Sequence, residues 1–115
     1  MTDEELECWQ RALALYDSLT GPDWAHIPKF RALVCAISGA REARGLTAVT
    51  SHESLLVSPY DRYPDWFEGR RVALYPLADG RVRVVSYGEG SARGEALTLP
   101  VGDALEEVLR RLARL

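Results

Sequence analysis

At 115 residues, with 47% hydrophobic and 27% charged residues, the chain has the size and composition of one ordinary globular domain spanning residues 1–115. Its net charge of −3 argues against a nucleic-acid binder held by bulk charge. No apolar run approaches the ~20 residues of a membrane span. The acidic start "MTDEELE" also lacks the basic-then-apolar order of a secretory signal, so a cytoplasmic protein is expected.

The first helix is announced by "TDEE". Thr2 stands at the N-cap and Glu5 three residues on, the spacing of a capping box. Leu6, Trp9, Leu13 and Tyr16 recur every three or four residues, and Cys8, Ala12, Leu15 and Leu19 widen that apolar stripe. Thr20-Gly21-Pro22 ends it, because proline cannot continue a helix. After the short "PDWAHIP", a second helix is expected from Pro28, with Phe30, Leu33, Val34 and Ile37 as its stripe, fading through "GAREAR" and stopping near Gly45. So short a connection makes the two helices an antiparallel hairpin. Gly39 inside the second helix costs about 1 kcal/mol relative to alanine, which a close approach of the first helix would explain. Cys8 and Cys35 lie on apolar stretches of these helices and read as small core residues; two such thiols make neither a zinc site nor a cytosolic disulfide.

Past Gly45 the period changes. "LTAVTSHESLLVSP" is rich in β-branched residues and forms either one long strand or two short ones around Ser51-His52-Glu53. "SPYDRYPDWFEGR", residues 58–70, follows as a loop. "RRVALYPLADGRVRVVSYG" is the strongest strand signal, two alternating runs about the turn pair Asp79-Gly80. Val72 and Leu74 share one face with Val82 and Val84; Arg71, Ala73 and Tyr75 share the other with Arg81, Arg83 and Val85. "GEGSARG" is a flexible connection to "EALTLPV", where Leu97, Leu99 and Val101 alternate and Pro100 favours an edge strand. Asp103, with Glu106 three residues later, caps a last helix whose apolar face is Leu105, Val108, Leu109, Leu112 and Leu115. Its Glu106–Arg110 and Glu107–Arg111 pairs read as a solvated outer face. These elements predict a two-layer α+β domain of order α-α-β(β)-β-β-β-α. An N-terminal helical hairpin and a C-terminal helix cover one face of a mainly antiparallel sheet of three to five strands.

Catalytic and metal templates fit poorly. "GEGSARG" joins two strands and opens no helix, so it lacks the amides that cradle a phosphate. Ser51, His52 and Glu53 are adjacent, and adjacent strand side chains point to opposite faces, so they cannot converge as a relay. His26 and His52 belong to no metal-ligand spacing, and Asp61 and Asp65 read as turn-capping residues. No cofactor and no metal are expected.

The segment 58–70 remains, with Tyr60, Tyr63, Trp66 and Phe67 inside eight positions. Each ring buries roughly 150–250 Å² when packed, so four bare rings would exceed the apolar patch a monomer tolerates. Either Trp66 and Phe67 fold back over the helix–sheet seam with the tyrosines at the rim, or the rings meet a partner. The second alternative is the leading functional expectation: a small non-catalytic protein-interaction module, such as an adaptor, an immunity- or antitoxin-like inhibitor or a homodimer subunit. Its binding residues would be Tyr60, Arg62, Tyr63, Trp66 and Arg70. The first rival is nucleic-acid binding by Arg71, Tyr75, Arg81 and Arg83 on the outer hairpin face, although residues 61–94 carry six arginines against five acids. The second rival is an enzyme or ligand-binding domain with a pocket between helices and sheet, lined by His52, Tyr75 and an acid.

Overall fold

In the computed structural model, which describes residues 1–115, the chain runs α1 (Asp3–Ser18), α2 (Ile27–Ser38), β1 (Thr47–Ser51), β2 (Ser54–Ser58), α3 (Asp65–Glu68), β3 (Arg71–Pro76), β4 (Arg81–Tyr87), β5 (Arg93–Pro100) and α4 (Leu105–Leu112). The five strands form one antiparallel sheet in the order β1-β2-β3-β4-β5, so β1 and β5 are its edges. This is the expected α+β arrangement, with helices from both ends of the chain packed on the sheet. No helix is long and apolar enough to cross a membrane.

One continuous core joins Trp9, Ala12 and Tyr16 of α1, Phe30, Val34 and Ile37 of α2 and Val108 and Leu112 of α4 to a single face of the sheet. That face carries Ala48, Leu55, Val57, Val72, Leu74, Val82 and Val84, which the strand register aligns in a continuous band. The period-2 pattern of the hairpin therefore selected the buried side correctly. Tyr16 and Phe30 meet edge to face at 5.2 Å where α1 and α2 pack. Thr2 and Glu5 form the capping box, each accepting the other's backbone N–H.

Several local expectations are corrected. α2 ends at Ser38, so Gly39 lies beyond it as an exposed cap and no helix presses on it; Arg41–Ala43 is a separate 3-10 turn. Of the two alternatives open for residues 46–58, the structure has the second, two short strands joined by a two-residue turn in which His52 takes φ 56°. Asp103 closes a 3-10 turn and α4 begins at Leu105 without a side-chain cap, because Val101 enters the core and pulls the approach to the helix inward. Cys35 is exposed; Cys8 is half-buried against the core.

Arg111 is the largest departure. Placed on an outer face by the i,i+4 pattern, it is 2% exposed. β4 and β5 lose register between Val85 and Tyr87, which frees backbone carbonyls from the ladder. Arg111 reaches across from α4 and donates to the Glu95 carbonyl at 2.8 Å and to Ser86 Oγ at 3.0 Å, while its Nε is held by Glu107 at 2.9 Å. Arg110 pairs with Glu107 and not with Glu106. The basic end of α4 thus closes an irregularity in the sheet.

Candidate functional site

The face of the sheet opposite the helices has no second layer, yet Leu56, Ala73 and Val85 are buried there. The cross-strand register explains it. Tyr75 and Tyr87 stand diagonally on either side of the Ala73–Val85 pair, and their hydroxyls meet at 3.1 Å above it. Burial and the bond to Tyr87 push the Tyr75 hydroxyl up to about 12. Arg71 lies against the Tyr87 ring at 4.1 Å and faces the Phe67 ring at 5.7 Å. The outer face is therefore roofed by its own long side chains, with Ala73 and Val85 buried beneath them.

The segment between β2 and β3 docks on this roof. Ser58 Oγ accepts the Tyr60 N–H and donates to the Tyr60 carbonyl, which turns the chain out of β2. The peptide N–H groups of Trp66, Phe67, Glu68 and Gly69 then close onto the carbonyls of Arg62, Pro64 and Asp65, forming the single turn of α3. Gly69 is required where it stands: a Cβ there would come within 2.3 Å of Tyr60 Cε2 and 2.7 Å of the Asp65 carbonyl. Tyr60 is pinned against that glycine. Its hydroxyl donates to Glu89, which raises its pKa, and the Arg70 guanidinium covers its ring at 5.7 Å. Arg71 ties the end of the segment down by donating to the Gly69 carbonyl at 2.9 Å and to Ser91 Oγ at 3.3 Å.

On this fixed base the remaining rings project outward. Trp66 is half-buried, with Tyr63 at 5.5 Å on one side and Phe67 at 6.1 Å on the other. Tyr63 is 71% exposed and Phe67 46% exposed. Phe67 therefore packs on Arg71 at the outer face and not over the helix–sheet seam. Of the residues expected to bind a partner, Tyr63, Arg62 and Arg70 are exposed and Trp66 is partly so, whereas Tyr60 mainly holds the segment together.

The hairpin residues are distributed differently. Arg71 is 7% exposed and bonded to the Gly69 carbonyl and Ser91, and Arg81 is tied to Asp79 at 2.8 Å, which leaves Arg83, half-buried beside Tyr75, as the hairpin arginine with neither a hydrogen bond nor an ion pair. Tyr75 faces away from the helices, so it cannot line a cavity between helices and sheet with His52, which is exposed at the β1–β2 turn. His26 packs on Trp24 at 6.2 Å. No three His, Cys, Asp or Glu side chains assemble where a metal ion would be held.

A groove of about 890 Å³ runs along the free edge of β1, between the first turns of α1 and the aromatic segment. Its floor is Thr47–Thr50; Glu4, Glu7 and Arg11 stand on one wall and Asp61 and Trp66 on the other. Sequence reasoning missed this feature because it depends on which strand is outermost. The one available signal was the polar "TAVTS" composition of β1, which suits an edge. No protein-family model, curated protein or solved structure matches the chain.

Proposed function

We propose that the chain is a protein-interaction module that engages a partner protein through the aromatic segment 58–70. Tyr63, Trp66 and Phe67 supply the apolar contact, and Arg62 and Arg70 its polar rim. The single observation that carries this reading is the exposure of Tyr63 and Phe67 on a segment that is otherwise tightly fixed. Large exposed rings are costly in water and are favoured at the centres of interfaces. Fixing them in advance removes much of the ordering cost of association, because Gly69, Tyr60 and Arg71 already hold the backbone below them. Nucleic acid is the less suitable partner, since two of the three hairpin arginines are engaged within the protein.

A photo-crosslinking amino acid placed at position 63 in expressing cells tests the reading. Its adducts, identified by mass spectrometry, should be dominated by one or a few proteins and should disappear when Trp66→Ala is added, with circular dichroism unchanged. A pattern indistinguishable from that of the same probe at Ala78, in the exposed turn of the hairpin, would remove the basis for the proposal.

A further inference from the structure

We infer that the groove beside β1 takes an extended, basic segment of the partner, which adds to the sheet as a further strand. This rests on the reading of the chain as an interaction module, and supplies the partner's conformation and charge.

The backbone argument comes first. The two-residue turn makes Ser51 and Ser54 the closing hydrogen-bonded pair of the β1–β2 hairpin. Alternation then turns the N–H and C=O groups of Ala48 and Thr50 away from β2, toward the groove. The Ala48 N–H confirms that direction, because it donates to Cys8 Sγ of α1 at 3.3 Å. Thr50 sits one repeat further along the same open edge, and its outward amide and carbonyl are the groups an added strand pairs with. With the Ala48 amide held by Cys8, the open part of the edge is the Ala48 carbonyl and the Thr50 amide and carbonyl.

The walls then select the charge. Glu4, Glu5, Glu7 and Asp61 line the groove against a single arginine, Arg11, which is itself bound to Glu7 at 2.9 Å. In an added strand, alternate side chains point to opposite faces of the sheet. One row meets the carboxylates of α1 and the other meets Trp66 and Asp61. Lysine or arginine suits both rows, by opposite charge on the first and by contact with the indole face on the second. A second copy of this chain is disfavoured as the occupant, since pairing β1 with β1 would bring two acidic walls together.

The probe is a fluorescein-labelled peptide of alternating lysine and valine, measured by fluorescence anisotropy against the full chain. Binding should weaken with rising salt. The Thr50 amide should exchange more slowly with solvent when peptide is present, while that of Thr98, which faces outward on the opposite edge, stays unchanged. Thr50→Pro removes the outward donor without touching the β1–β2 ladder and should weaken binding about tenfold, the loss of one backbone hydrogen bond. Glu4→Gln with Glu7→Gln should weaken it and flatten its salt dependence, and serves if the proline variant fails to fold. Absence of binding, an unprotected Thr50 amide, or equal binding of a peptide with proline at alternate positions would each overturn strand addition. Thr50 protection that grows with protein concentration alone would assign the edge to a second copy. A specific crosslink at position 63 without Thr50 protection would remove this inference and leave the interaction module standing; loss of both would remove both.

Discussion

Replacing Arg111 with methionine keeps most of the aliphatic volume and removes the guanidinium. Apolar replacement of a buried ion pair is often harmless, because both charged partners leave together. Here the main partner is a backbone carbonyl, which no substitution removes. The Glu95 carbonyl at 2.8 Å loses its donor, Ser86 Oγ at 3.0 Å must turn elsewhere, and the weaker contact to the Val84 carbonyl at 3.4 Å is lost. Glu107 is not orphaned, since Arg110 stays with it. Counting the loss of two part-buried charge-assisted bonds at about 1.5 kcal/mol each, the cost comes to about 3 kcal/mol. With a urea dependence of about 1.5 kcal/mol per molar, the unfolding midpoint should fall by about 2 M. Arg114→Met, at an exposed position on the same helical end, should move it by no more than about 0.3 M. Arg111→Lys should lie between them, since an ammonium keeps the charge and reaches one oxygen. If Arg111→Met and Arg114→Met unfold at the same urea concentration, the claim that Arg111 closes the sheet irregularity is wrong.

Three further outcomes are expected. His52→Gly should raise the melting temperature by about 3 °C, because relief of the left-handed φ of 56° outweighs the added freedom of the unfolded glycine; an unchanged or lower value would contradict it. Gly69→Ala should displace Tyr60 and abolish the specific crosslinks at position 63 while far-ultraviolet circular dichroism stays intact; preserved crosslinks would show that the Tyr60 contact does not set the segment. Tyr75 has a folded pKa raised to about 12 from 10.0, so its contribution is complete below pH 10 and is lost as pH rises toward 12. Denaturation across that window should show a falling stability that Tyr75→Phe reduces, with Tyr16, raised by burial, and Tyr60, raised by its bond to Glu89, contributing to the remainder.

What could be read from residues alone was what a short local period encodes. The Thr2–Glu5 spacing, the alternation of Val72, Leu74, Val82 and Val84, and the Asp79-Gly80 turn each specify structure among close neighbours in the chain, and each is found as expected. Arg111 and Glu95 are 16 positions apart and meet only because β5 loses register beside α4, a fact no helical pattern contains. The roof of Tyr75 and Tyr87 over Ala73 was hidden for a similar reason: alternation says which face a side chain takes, not which way a tyrosine leans once there. For the candidate site, composition singled out the aromatic segment. Its division into pinned Tyr60 and projecting Tyr63 rests on Gly69 and Glu89, one local and one distant. The β1 groove needed the strand order, which local patterns do not encode.

The unbroken meander from β1 to β5 also shapes how the molecule assembles. Every ladder joins chain neighbours, so each closes a short loop and loses little entropy in doing so. The expensive closures are the ones that bring the helices onto the sheet and onto each other, where Cys8 reaches Ala48 across 40 positions, Tyr16 reaches Glu53 across 37, and α2 meets α4 across a longer stretch still. The sheet can therefore zip hairpin by hairpin, and the N-terminal helix, although made first, is the element that must wait for its docking surface.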